Sequence, residues 1–303
     1  MIDQIKKFST FSILLFLMFG CSITDYDYDF PTIEESSIES ISEEGVVLSA
    51  KISKNKSAYE ITEYGFIWWQ NSVRKVTKTF EEPLEADEFS FTISSGLAAN
   101  ESYFYTPYIK FGNIKAEGEI TEFISKGSQA VVFDDFYPKV ISWTDTLYIE
   151  GKNFSFHPYD LNVYVDQRLI QIVEVTDTKI KAFLPLNLTK RINNVSIRAT
   201  GIEVKSDDQL TLLMPEIIDF TPKRAKEGDK IQITVKNLLP LPYTFNKFYW
   251  GDQEFFVHEE RGNLITVEML SGSNVTGSKK IRAEIANTEF FAESDEDLIF
   301  VDN

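Results

Sequence analysis

The chain has 303 residues, 25% charged and 43% hydrophobic, and its 47 acidic residues against 30 basic ones give a formal net charge of -17. That balance argues against nucleic acid as a partner, because phosphates ask for a basic surface, and against adsorption to anionic lipid. A single cysteine excludes a disulfide framework, and the length predicts two or three domains, each held by an ordinary core.

Lys6 and Lys7 precede an apolar run from Phe8 to Phe19, which closes on Met18-Phe19-Gly20-Cys21. A run of about a dozen residues is too short to cross a bilayer, which takes about 20. A basic start, an apolar core of this length and a small residue at the cut describe an export signal over residues 1–20 that is removed. Around Cys21 the sequence resembles the bacterial lipobox, with Met18 where that motif prefers leucine. The resemblance implies lipid attachment at Cys21, whose nucleophilic sulfur takes a diacylglycerol thioether before cleavage frees its amine for another chain. Two or three chains make such anchoring stable. The alternative is a plain secretory signal with an incidental cysteine.

Residues 21–44 read as a lipidated tether, with eight acidic residues and no basic one after Cys21. Like charges keep such a segment extended. Acid behind the cysteine also resembles the signal by which Bacteroidetes send lipoproteins to the outer face of the outer membrane. A calcium site at Asp25, Asp27 and Asp29 is disfavoured, because no loop glycine or closing glutamate follows at useful spacing.

From Gly45 onward short alternating segments, Val46 to Ile52, Tyr64 to Trp69, Phe89 to Ile93 and Ser102 to Lys110, predict strands of a β-sandwich. Leu97 to Tyr103 resembles the turn into the sixth strand of a fibronectin type III domain, and Tyr64-Gly65-Phe66-Ile67-Trp68 resembles a strand of the bacteroidetal variant. The resemblance implies that Tyr103 closes a corner by bonding back to the chain. This domain is placed at 31–125, so 31–44 is shared with the tether.

Asp135-Phe136-Tyr137-Pro138-Lys139 recurs as Asp219-Phe220-Thr221-Pro222-Lys223, and Lys152-Asn153-Phe154 as Lys236-Asn237-Leu238. Asp166-Gln167 is matched to Asp252-Gln253, and Val195 to Ala199 to Ile281 to Ile285. A period of about 85 is the size of one sandwich rather than of a solenoid unit. Both copies, 130–214 and 215–303, resemble the IPT/TIG immunoglobulin-like family. The first has the strand end Gly151-Lys152-Asn153-Phe154 but Trp143-Thr144-Asp145 at the turn; the second has the turn Glu227-Gly228-Asp229 but Val235 before Lys236. Structural roles follow: Pro138 and Pro222 at the domain entrance, Asn153 and Asn237 accepting local backbone bonds, Phe154 and Leu238 in the core. The expected fold is all-β, three tandem Ig-like and fibronectin-like sandwiches in an elongated array.

For catalysis the chain is poor. Its two histidines, His157 and His258, fall in different copies, and no nucleophile elbow or phosphate loop is present. Acidic pairs such as Asp134-Asp135, Asp207-Asp208 and Glu259-Glu260 read as solvated surface. No enzyme activity, metal or cofactor is expected. Aromatics are the functional clue, with 25 Phe, 13 Tyr and 4 Trp. By strand parity Phe104 and Tyr108 face outward, as does one of Trp68 and Trp69, and Tyr243, Phe245, Tyr249 and Trp250 gather near an apolar loop of the last domain. Exposed rings stack on sugars or anchor proteins. The architecture resembles the surface glycan-binding accessories of outer-membrane sugar importers in Bacteroidetes, which implies a polysaccharide partner. The alternative is a structural accessory of an outer-membrane protein complex. Asp145-Thr146-Leu147 resembles the three-residue motif at which Bacteroidetes attach O-glycans, which implies modification at Thr146.

Overall fold

The computed structural model describes residues 30–53, 59–70, 75–156, 161–240, 245–270 and 275–302. Cys21, the export signal, Asp25, Asp27, Asp29, His157 and Tyr243 lie outside them. The described residues form an all-β chain of tandem β-sandwiches, and among them no helix is long and apolar enough to cross a membrane.

The first sandwich holds β1 (Thr32–Ser42), β2 (Gly45–Ser53), β3 (Ile61–Trp69), β4 (Val76–Phe80), β5 (Glu88–Ile93), β6 (Ser102–Phe111), β7 (Ile114–Glu117) and β8 (Thr121–Ile124). One sheet runs β1-β2-β5; the other runs β4-β3-β6-β7, with β8 also on β6. β1 corrects the reading of 31–44 as tether: Glu34, Glu35 and Glu39 belong to an edge strand, which pairs with β2 from Thr32↔Ser53 to Ser42↔Gly45. Two register shifts, between Ile33 and Glu35 and between Ile38 and Ser40, let Ile33, Ile38 and Ile41 all pack on the core while the acids face water, and charge on an edge strand deters further pairing. Tyr103 lies at the corner, and its Oη accepts the Ala98 N–H at 2.9 Å.

The second sandwich holds β9 (Val132–Tyr137), β10 (Val140–Ile141), β11 (Thr146–Lys152), β12 (Asn162–Val165), β13 (Arg168–Leu169), β14 (Gln171–Val175), β15 (Lys179–Phe183), β16 (Ile192–Ala199) and β17 (Ile202–Leu212). Its sheets run β10-β17-β16-β12-β13 and β14-β15-β11-β9. The third repeats this strand for strand, with β18 (Glu216–Thr221), β19 (Arg224–Ala225), β20 (Lys230–Lys236), β21 (Asn246–Trp250), β22 (Gln253–Glu254), β23 (Phe256–Arg261), β24 (Leu264–Glu268), β25 (Gly277–Ile285) and β26 (Phe291–Phe300). Its sheets run β19-β26-β25-β21-β22 and β23-β24-β20-β18. The match of Asp166-Gln167 to Asp252-Gln253 is corrected by one residue. Val165 pairs Arg168 as Trp250 pairs Gln253, so Gly251 stands where Asp166 does, both with positive φ.

The repeated Asp-Phe-x-Pro-Lys segment is a clamp. Lys139 bonds Asp135 and, at 2.7 Å, Asp208 of the last strand, with its ammonium 3.8 Å over the Phe136 ring. Lys223 does the same with Asp219 at 2.6 Å, Glu296 at 2.8 Å and the Phe220 ring at 3.9 Å. Pro138 and Pro222 follow β9 and β18 through cis peptide bonds. Asn153 and Asn237 both take positive φ, and their side chains act as donors. Each donates an amide N–H to a distant carbonyl, Ala130 at 2.8 Å and Met214 at 3.1 Å, and so ties the strand end to the domain entrance. At the turn before the second strand pair the aspartate carries the geometry. Asp145 Oδ2 accepts from Ser142 N–H and Asp229 Oδ2 from Lys226 N–H, each at 2.8 Å, so Gly228, at φ 85°, has no required counterpart at Thr144.

Each later sandwich lends a side chain to its predecessor. Phe156, also at positive φ, packs against Trp68 and Phe91 of the first sandwich at 5.3 and 5.6 Å between ring centroids. Ser95 Oγ donates to the Ser155 carbonyl at 2.7 Å in the same junction. The corresponding segment of the third sandwich places Leu239 in the second sandwich's core, and Phe290 meets Trp143 edge-on at 5.4 Å.

Candidate functional site

Most of the described ring candidates are buried or covered, whichever face of their sheet they occupy. Trp68 is 1% exposed and lies in the first core. Trp69 and Tyr108 do face the other side of the β3–β6 sheet, but they are buried there in a satellite cluster with Ile67 and the half-buried Phe104. Trp69 stacks on Phe104 at 6.1 Å, and Lys75 lies 4.3 Å over its ring. Tyr108 lies across Gly65, where an added Cβ would come within 3.2 Å of its ring. Its Oη bonds Thr79 at 2.7 Å and Glu63 at 2.9 Å, and burial, with Glu63 alongside, pushes the phenol up to about 12. Trp250 is buried against Phe300, and its Nε1–H donates to the Leu298 carbonyl at 2.8 Å. Tyr249 is half-buried, bonded to Glu284 at 2.9 Å beneath the Arg282 guanidinium, and burial and Glu284 push it up to about 12. Phe245 is exposed. The outward rings are covered by long polar stems, Lys75 over Trp69, Lys115 over Tyr108 and Arg282 over Tyr249, whereas Trp68 and Trp250 point into the cores.

The open aromatic surface lies elsewhere, on the outer face of the second sandwich's four-stranded sheet. Tyr148 pairs Tyr137 across β11 and β9, the rings stacked at 5.2 Å and 18°. Phe183, paired to Thr146, joins the same face. Tyr137 and Phe183 are 38% and 44% exposed, and Tyr148 is half-buried between them. Lys179 Nζ donates to Tyr137 Oη at 2.9 Å and meets Glu150 at 3.2 Å; those two bonds hold its ammonium above the usual lysine range. This fixes one ring edge and puts a cation and a carboxylate beside the stack. Flat rings flanked by hydrogen-bonding groups suit the mixed C–H and hydroxyl surface of a pyranose. Thr146 stands half-exposed at the edge of this face.

The signal for these rings was present. Leu147 and Ile149 alternate inward on β11, which sends Tyr148 outward, and the repeat places Gln232 and Thr221 where Tyr148 and Tyr137 stand.

Among the described residues no group of three or more His, Cys, Asp or Glu side chains could hold a metal ion. His258 bonds Glu268 within its own sheet. Of the acidic pairs, Asp135 serves the clamp, and Glu260 corrects the reading as solvated surface. It lines a crevice of about 580 Å³ between the second and third sandwiches with Asn246, Leu239 and Thr144, and burial pushes its carboxyl up.

Residues 131–212, the span of β9–β17, match the model of the IPT/TIG domain. No curated protein matches the chain. Among solved structures the chain is similar to the Plexin A4 extracellular region, with 12% identity over 90% of this chain and 34% of that one and a TM-score of 0.29. It is similar to the SGBP-B of a Bacteroides ovatus mixed-linkage glucan utilization locus, in complex with a mixed-linkage heptasaccharide, with 12% identity over 91% of this chain and 67% of that one and a TM-score of 0.23. It is also similar to an SGBP-B from a Bacteroides uniformis complex xyloglucan utilization locus, with 14% identity, 77% and 75% coverage and a TM-score of 0.24. The chain spans about a third of the plexin chain.

Proposed function

We propose that the chain is a non-catalytic surface lipoprotein that binds glycan as an accessory of an outer-membrane uptake system. Cys21 is its lipid anchor, the outer membrane its location with the sandwiches facing outward, and the third sandwich a diverged second IPT/TIG copy. The observation that carries the reading is the open Tyr137–Tyr148 stack with Phe183 on one flat sheet face. The lipobox-like residues at Cys21 and the acid behind them support the location. An O-glycan on Thr146 would sit across from Phe183 and compete for the same rings.

Affinity electrophoresis of the full chain through gels holding neutral plant and microbial polysaccharides tests the reading. Retardation in at least one gel, weakened by Tyr137→Ala and Tyr148→Ala, is expected. A folded chain that runs unretarded in every gel, or binding indifferent to both substitutions, overturns it and favours a protein partner in an outer-membrane complex.

A further inference from the structure

The outer face of the second sandwich's other sheet is not flat. Pairing of β16 with β17 skips between Asn194↔Gln209 and Ser196↔Lys205. A groove of about 580 Å³ opens there, within the usual range of small-ligand sites. Its lining includes two polar residues that are almost wholly buried, Asn193 at 1% and Ser196 at 4% exposed. The groove is held from both sides. Asn193 Nδ2 donates to the Lys190 carbonyl at 2.9 Å. Beside it the Thr189 carbonyl accepts the Glu289 N–H of the third sandwich at 3.2 Å, and the Glu289 carboxylate accepts from Arg191 N–H.

Charge sets this groove apart. It carries Arg168, Lys190 and Lys205 against Asp166 and Glu203, a cationic excess in a chain of net charge -17. Both carboxylates are already engaged. Asp166 Oδ1 accepts the Asn194 N–H at 2.8 Å, and Glu203 lies 3.7 Å from Arg198 and 3.9 Å from Lys205. Among the described residues Arg168 and Lys190 meet no carboxylate. The third sandwich lacks this arrangement. Strand pairing puts Gln253 in the place of Arg168 and Arg282 in the place of Ser196, and Arg282 lies 4.8 Å over Tyr249 where the second sandwich has a small buried side chain.

We infer that this groove binds an acidic saccharide unit, one bearing carboxylate or sulfate, gripped by Arg168 and Lys190. The inference rests on the reading of the chain as a glycan-binding protein and adds a ligand class and a second site, opposite the tyrosine stack. A guanidinium offers a planar fork that meets a carboxylate or sulfate with two parallel hydrogen bonds, and lysine adds a point charge. Gln167 beside them serves the neighbouring hydroxyl groups.

Calorimetry of the full chain with tetragalacturonide, its methyl ester, a sulfated galactan tetrasaccharide and free inorganic sulfate tests the inference. At low salt at least one acidic saccharide is expected to bind about tenfold or more tighter than the neutral methyl ester. Salt should erode that preference, Arg168→Ala with Lys190→Ala should abolish it, and Arg168→Lys should keep part of it. Neither Arg168 nor Lys190 is buried, so these variants leave the cores intact. Equal affinity for acid and ester, or a preference indifferent to the double substitution, overturns the inference while leaving Tyr148-dependent binding of neutral polysaccharide standing. Free sulfate that competes mole for mole with the saccharides makes this an anion site without sugar recognition, and overturns it as well. Failure of every saccharide on either site overturns both readings.

Discussion

The second and third sandwiches share nine strands in one order, yet their side chains differ, and the differences sort by depth. What closes each sandwich is common: the lysine clamp, the aspartate turn and the asparagine tie recur at matching distances. Inside, the same volume is filled in two ways. A Cβ on Gly151 would lie 2.4 Å from the Phe154 ring, so glycine makes room for phenylalanine; the third sandwich has Val235 there, buried, and the smaller Leu238. Outside, the second carries Tyr137 and Tyr148 where the third carries Thr221 and Gln232. A β-sandwich thus demands its closing bonds and its core volume, and leaves its outer faces free to take on ligand chemistry.

The largest expected effect tests the core half of that comparison. Phe154→Ala should cost about 3–5 kcal/mol of unfolding free energy, against about 2 kcal/mol for Leu238→Ala, whose side chain is only half-buried. Urea titration of the full chain, followed by fluorescence, measures both, and equal losses would break the distinction. Next, Gly151→Val should cost about 1–3 kcal/mol by overpacking. Adding Phe154→Leu should recover part of it but not all, since the new Cβ would still meet the Val132 carbonyl at 1.9 Å. Strict additivity of the two would show that they do not share one space.

On the outer faces, Tyr148→Ala should weaken polysaccharide binding about tenfold, or ~1.4 kcal/mol, whereas Gln232→Ala should change nothing measurable by affinity electrophoresis. The smallest effect sharpens what the two copies share. Hydrogen bonds from Lys139 and Lys223 hold Asp135 and Asp219 below the usual carboxylate range. Each therefore contributes stability that is full above the unfolded-state pKa of about 4 and is lost as pH falls through the lower folded value. Melting temperature followed downward from pH 6 should fall less steeply for Asp135→Asn and for Asp219→Asn than for the unaltered chain. Because the pairs are exposed, each change should be slight, and similar in the two copies.

Much of this was legible in the chain itself. Alternation in Val46 to Ile52 and the recurrence of Asp-Phe-x-Pro-Lys predict strands and a repeat, because period-two burial and tight closures are local properties. The rings were harder. Parity correctly turns Trp69 and Tyr108 away from the core, but the cover comes from Lys75, just before β4, and from Phe104 on β6, and no local pattern announces either. The groove beside Ser196 was hidden for a similar reason: Arg168 and Lys190 are distant in sequence and meet only once β12, β13 and β16 are laid side by side.

The seat of Phe156 between Trp68 and Phe91, with Leu239 as its counterpart one sandwich later, bears on how the chain matures. A polypeptide synthesised from its N-terminus presents the first sandwich before the residue that caps its core has emerged, and the second likewise waits for the third. Completion therefore runs backward along a chain that is delivered forward, and a molecule stopped part-way carries an uncapped apolar end, by which folding helpers or proteases recognise unfinished work.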